Sequence, residues 1–338
     1  MRNQQIDLLR FIGLAMIILA HVEPPNIIFQ LRNFDVPLMV LVSGMSFGLA
    51  FKRESYLQYV WKRIKRLIFP VWIFLTVYFF ILFVFKSSLE DLSYHTIFDS
   101  YFFIDGIGYV WIIRVFILVA LVAPFIDSFD EKTPSNKRYF LNLLLVLLIY
   151  EGCRYYSMPY ITDGYGEYLS LVGFYLIPYS LLFAFGLRFR RIDAKEIYRL
   201  LIFFIVCFLG LMILLWYQTG NFVQTQDYKY PPSIYYLSYA LVVFSIIWVF
   251  SGKICKTIEK SKIINTIISF IAQNSIWIYL WHIPLLKLVN ADFAVKYCVV
   301  LFVSTCIVVF QVWLVNSVLV RITSSTKVKK NLKILLTG

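Results

Sequence analysis

Ten apolar stretches run through the 338 residues, near 6–22, 35–51, 67–86, 108–126, 139–152, 169–187, 200–217, 233–251, 264–286 and 297–320. Most approach the roughly 20 apolar residues that a helix needs to cross the ~30 Å hydrocarbon core of a bilayer. The fifth is the shortest. The lysines and arginines between them alternate in number. With the N-terminus inside, the inner segments collect twenty-four of the 32 basic residues, whereas the outer segments hold six, Arg32, Lys86, Arg154, Lys229, Lys287 and Lys296. Only Arg10 and Arg114 fall inside spans. This is the positive-inside asymmetry, and removing one span would scramble it. The expectation is an all-α polytopic membrane protein of about ten transmembrane helices with both termini cytoplasmic. Residues 1–322 then form the membrane domain and 323–338 a basic cytoplasmic tail.

Composition excludes the main alternatives. The chain is 60% apolar and 15% charged, with a mean hydropathy of +0.75, against about 45–50% and about 25% for soluble domains. The net charge of +13 marks inner loops and contact with membrane lipid, so no nucleic-acid partner is expected. The apolar N-terminal stretch carries Asp7 and Arg10 and lacks a small-residue cleavage site, so it reads as a first span and not as a signal peptide. Five scattered cysteines and three scattered histidines give neither a disulfide framework nor metal-ligand spacing. The longest outer segments, near 87–107, 153–168 and 218–232, are too short for a soluble domain. Chemistry falls to span residues and short loops.

Ionisable groups in spans are costly, so each is a functional candidate. Arg10 and His21 are eleven residues apart, which returns them to within ~20° on one helix face, about 16 Å apart along the axis. The bland reading is a helix-end histidine and an Asp7–Arg10 pair. Arg63 and Arg66, one turn apart in Trp61-Lys62-Arg63-Ile64-Lys65-Arg66, can address one anion together or lie as a topogenic cluster on anionic lipid. Arg114 follows Tyr109-Val110-Trp111 and needs an acidic partner or a ligand. Ser275, Tyr279 and His282 form an i, i+4, i+7 polar stripe, with His282 in a supporting role. Ser43-Gly44 reads as a small-residue contact for close helix packing. Outer tyrosines, including Tyr235 and Tyr239, suit sugar stacking or an interfacial belt.

Taken in order, these residues resemble the acyltransferase-3 family of integral membrane acyltransferases. The likeness rests on Arg10 and His21, on Asp35-Val36-Pro37 through Ser43-Gly44, and on Arg63, Arg66 and Pro70. It extends to Trp111–Arg114, Tyr230-Pro231-Pro232-Ser233 and Tyr279-Leu280-Trp281-His282. It implies transfer of an acyl group, most often acetyl from cytoplasmic acetyl-CoA, to a hydroxyl of a cell-surface glycan or its lipid-linked saccharide precursor, at the bacterial cytoplasmic membrane. No extracytoplasmic hydrolase-like domain is fused. On that reading Arg10, Arg63 and Arg66 bind the phosphates of acyl-CoA, and His21 is the general base. Asp35 orients His21, with Glu23 as competitor, and Arg114 steadies the oxyanion. Tyr235, Tyr239, Tyr279 and His282 meet the acceptor, and no metal takes part. The rivals are a flippase or transporter of lipid-linked glycans, which needs no acyl chemistry, and a membrane glycosyltransferase. The sidedness predicts that alkaline phosphatase fused within 218–232 is active, while a fusion at residue 338 is inactive.

Overall fold

A computed structural model describes residues 3–50, 54–85, 92–161 and 164–337. Arg2, Lys52, Arg53 and Lys86, which enter the charge asymmetry, lie outside the described residues, as does the end of the tail at residue 338. The described chain is helical, with no β-strand. Its helices begin with α1 (Gln4–Ala20), α2 (Asn26–Leu31), α3 (Asp35–Ala50), α4 (Tyr56–Val84) and α5 (Tyr94–Tyr101). They continue with α6 (Trp111–Lys132), α7 (Asn136–Ser157), α8 (Gly164–Arg188), α9 (Ala194–Thr219) and α10 (Ile234–Ile258). The last are α11 (Lys262–Gln273), α12 (Ser275–Leu288), α13 (Phe293–Leu314), α14 (Val320–Ile322) and α15 (Thr326–Thr337).

Helix boundaries follow local chemistry. Asp193 caps α9 by accepting from the Glu196 N–H at 2.7 Å, and Ser233 caps α10 through Tyr236, each satisfying an N–H that the first turn leaves over. Gly220, at φ +74°, ends α9 with its N–H on the Trp216 carbonyl.

Among the described residues, seven helices are long and apolar enough to cross a membrane, or eight when α11 and α12 count as one bent span. Each of the ten expected stretches contains a helix. Two of them, the 17-residue α1 and the more polar α7, are not among those seven or eight. Aliphatic and aromatic side chains lie exposed along α4 (Phe80, Phe83, Val84) and α9 (Ile202, Val206, Ile213). Apolar faces of this length suit lipid and not water. The protein is a multi-pass membrane protein.

The structure adds detail to three segments. The basic segment ahead of the third stretch is helical. It forms the opening turns of the 29-residue α4. The ninth stretch is two helices meeting at 83°. The break falls at Asn274, whose side-chain amide donates to the Phe270 carbonyl at 2.8 Å. Asparagine competes in this way for backbone groups a helix would use. In the basic C-terminal segment, α15 accepts hydrogen bonds at the Leu335 carbonyl from Trp277 Nε1 (3.2 Å) and at the Leu336 carbonyl from Gln311 Nε2 (2.6 Å).

The chain divides into two compact units. The first comprises Met1–Ile17, Pro25–Arg53 and Leu118–Asn265. Its centre is the crossing of α3 and α8, where a Cβ on Gly44 would strike the Phe183 carbonyl and one on Gly186 the Leu41 carbonyl. The Ser43-Gly44 reading as a close-packing contact is correct. Arg188, counted above as an inner-loop charge, is completely buried. Its guanidinium meets Asp130 Oδ1 at 3.0 Å, Asn136 Oδ1 at 2.8 Å and the Pro134 carbonyl at 2.7 Å. Arg191 reaches the other Asp130 oxygen at 3.1 Å. The second unit comprises Ile18–Pro24, Glu54–Ile117 and Thr266–Gly338, in which α12 packs on α4 and α13. Removing one partner of a buried ion pair leaves an uncompensated charge. Asp130→Ala is therefore expected to cost about 3–5 kcal/mol, read as a lower midpoint of thermal aggregation in detergent.

Candidate active site

The second unit gathers a cluster of histidine and tyrosine side chains. His21 stands one residue beyond the C-terminal end of α1, its N–H turned back to the Ile18 carbonyl at 3.0 Å. That tight i to i−3 closure replaces the last step of ideal α-geometry. His21 Nδ1 lies 2.9 Å from Nε2 of His282 on α12, and the two rings stack with centroids 5.1 Å apart and planes 19° from parallel. Tyr109, in the loop that leads into α6, sets its ring edge-to-face against His21 at 4.8 Å and 87°. The same ring lies 6.0 Å from His282.

Two backbone carbonyls complete the cluster. His282 Nδ1 bonds the carbonyl of Tyr279, one turn earlier on α12. The Tyr279 hydroxyl donates to the carbonyl of Tyr109, pinning the loop to the helix. Arg114 works on the same loop from the other side: its Nη1 donates to the carbonyls of Phe103 and Ile104, both at 2.8 Å. Phe103 holds φ +59°, and Gly106 and Gly108 also take positive φ, where glycine costs least. The Tyr109 ring thus walls the histidine pair.

A second polar centre lies in the first unit. Asp35, 1% exposed, accepts from Arg32 Nη1 at 2.8 Å and from Lys229 Nζ at 3.4 Å, and also takes the Val36 N–H. Arg32 stacks over Phe29 at 3.9 Å. Lys229 is enclosed in the loop between α9 and α10, where burial draws its ammonium below the usual range and Asp35 opposes that pull. Two cations sharing one carboxylate form a structural knot, whose low-dielectric attraction offsets part of the desolvation cost.

A family model described as an acyltransferase domain matches residues 3–316. The chain belongs to the acyltransferase-3 family. It is an acyltransferase. Comparison with curated proteins and with solved structures returns no match.

The expected site residues of this acyltransferase divide between the two units. His21, Arg63, Arg66, Arg114, Tyr279 and His282 fall in the second, and Arg10, Asp35, Tyr235 and Tyr239 in the first. Arg63 and Arg66 lie one turn apart within α4, and Arg63 rests over the Tyr59 ring at 4.9 Å. Arg10 Nη2 donates to Ser46 Oγ at 2.8 Å.

The bonds these residues make are as follows. Both Asp35 carboxylate oxygens are engaged, by Arg32, Lys229 and Val36. The Nη1 bonds of Arg114 anchor the loop ahead of α6. Tyr235 is buried, stacked on Phe208 at 5.3 Å and bonded to the Val223 carbonyl at 3.0 Å. Tyr239 spends its hydroxyl on the Leu31 carbonyl at 2.7 Å. His282 and Tyr279 are buried, His282 against His21 and Tyr279 with its hydroxyl on the Tyr109 carbonyl. Tyr109 was missed: it stood two residues before Trp111 in a segment already singled out, but no spacing reports that a loop returns onto a histidine. Asp35→Ala leaves two buried cations facing each other and is expected to cost about 3–5 kcal/mol. Turnover per folded molecule should stay near wild type. A large loss of turnover with normal thermal stability would return Asp35 to catalysis.

Proposed function

We propose that this acyltransferase moves an acetyl group from cytoplasmic acetyl-CoA to a hydroxyl of a cell-envelope glycan or its lipid-linked precursor. We place it in the bacterial cytoplasmic membrane with ten spans and both termini inside. The observation that carries the reading is His21 at the end of α1, its ring held at 2.9 Å by His282 and walled by Tyr109, in a chain of an acyltransferase family. An imidazole has the near-neutral proton affinity a general base needs. His21 takes the proton of the acceptor hydroxyl as that oxygen attacks the thioester carbonyl. The tetrahedral intermediate collapses, the C–S bond breaks, and the imidazolium returns the proton to the departing CoA sulfur. The products are an ester and free CoA thiol. The reaction as written balances without a metal.

The cations serve the donor. Arg63 and Arg66 share one face of α4, the spacing at which two guanidinium groups engage one phosphate group. Arg10, in the first unit, is a further cation candidate, its Nη2 on Ser46 Oγ at 2.8 Å. Family membership favours chemistry over the passage of a flippase. The test is thiol release from acetyl-CoA in native membrane vesicles, which carry the acceptor. His21→Ala is expected to reduce it by about 10²- to 10⁴-fold at normal protein abundance, and Arg63→Ala to raise KM for acetyl-CoA. Unchanged thiol release in His21→Ala, or altered glycan export with normal acetylation, overturns the proposal.

A further inference from the structure

We infer that His282 is a positioning residue that sets the tautomer of His21, so that the base offered to the acceptor hydroxyl is Nε2 of His21. The inference rests on the acetyl-transfer reading above. It begins at a backbone oxygen. The Tyr279 carbonyl has lone pairs and no proton, so the His282 nitrogen facing it, Nδ1, carries the hydrogen. A neutral imidazole has one N–H, and His282 Nε2 is therefore an acceptor. His21 Nδ1, 2.9 Å away, must donate to it. The single proton of neutral His21 then sits on Nδ1, and the lone pair on Nε2.

This chain of donors does what an aspartate does for the histidine of a serine-hydrolase triad, where the partner holds the ring in one tautomer and supports the imidazolium. Here the partner is a neutral ring backed by a helix carbonyl. When His21 gains the hydroxyl proton, its Nδ1–H bond to His282 becomes charge-assisted and stronger. The proton has no onward path through His282, because the oxygen behind it belongs to an amide. It stays on the histidine pair until CoA sulfur leaves and takes it. The arrangement also accounts for why His282 is wholly buried and why α12 starts anew at Asn274 after the 83° break, which aims this short helix independently of α11. Among the described residues, the ring of Tyr109, from the loop before α6, faces the pair, and Tyr279 lies beside His282 on α12. Glu23 and Lys287 exert their charge on Tyr109.

Two measurements test it on the full-length protein. The chain has three histidines, so ¹⁵N-histidine NMR in detergent resolves each ring. His21 is expected to carry its proton on Nδ1, with Nε2 unprotonated, at a pH above its titration. His282→Phe, which removes the acceptor, is expected to lower kcat for thiol release from acetyl-CoA by about 10²-fold or more, with KM near wild type. The acidic limb of its pH profile should move to lower pH, because the imidazolium loses its acceptor. His282→Gln, whose Oε1 can stand where Nε2 stood, should recover part of the loss, which a packing role would not give. Proton on Nε2 of His21, or wild-type kcat and pH profile in His282→Phe, overturns the inference. If His282→Phe does not accumulate, the NMR result and His282→Gln decide it. Thiol release that survives in His21→Ala instead sinks the parent reading, whatever His282 does.

Discussion

In a hydrocarbon environment no polar group can be left to water, and this condition governs the molecule. It makes the chain helical, since a helix satisfies its own backbone. It also dictates how charges are buried. Arg188 spends its guanidinium on Asp130, Asn136 and a carbonyl. Arg32 and Lys229 converge on Asp35, and Arg114 on two loop carbonyls. Charges that looked functional by position are in good part the internal ties of the two units.

The histidine pair follows the same rule with a different outcome. A buried His282 satisfied by the Tyr279 carbonyl at one nitrogen and His21 at the other is a closed hydrogen-bond account for one ring. His21 is the ring on which this account bears. The Tyr109 loop is tied down on both sides of the pair, by Tyr279 and by Arg114.

How far the site could be read from residues alone differs from case to case. His21 was legible because an ionisable group ending an apolar stretch is rare. Ser275, Tyr279 and His282 were legible as a stripe because helical period is local. The partner of His21 was not, since His282 lies 261 residues away in the chain and nothing in either segment encodes the other. The partners of Asp35 were hidden for the matching reason. They include Lys229, 194 residues distant, whereas the sequence showed only that Asp35 opens the second apolar stretch at its outer end.

The order of hydrophobicity and charge along the chain by itself determined an all-helical membrane protein, the close contact at Gly44, and the family to which it belongs. These depend on composition, periodicity and short spacings. Only the tertiary structure decided which buried ions pair with which, where the ninth stretch breaks, and which ring nitrogen faces which oxygen. Such choices turn on distances of a few ångströms between segments far apart in sequence, and hydrogen bonds at that range discriminate by geometry that no one-dimensional pattern records.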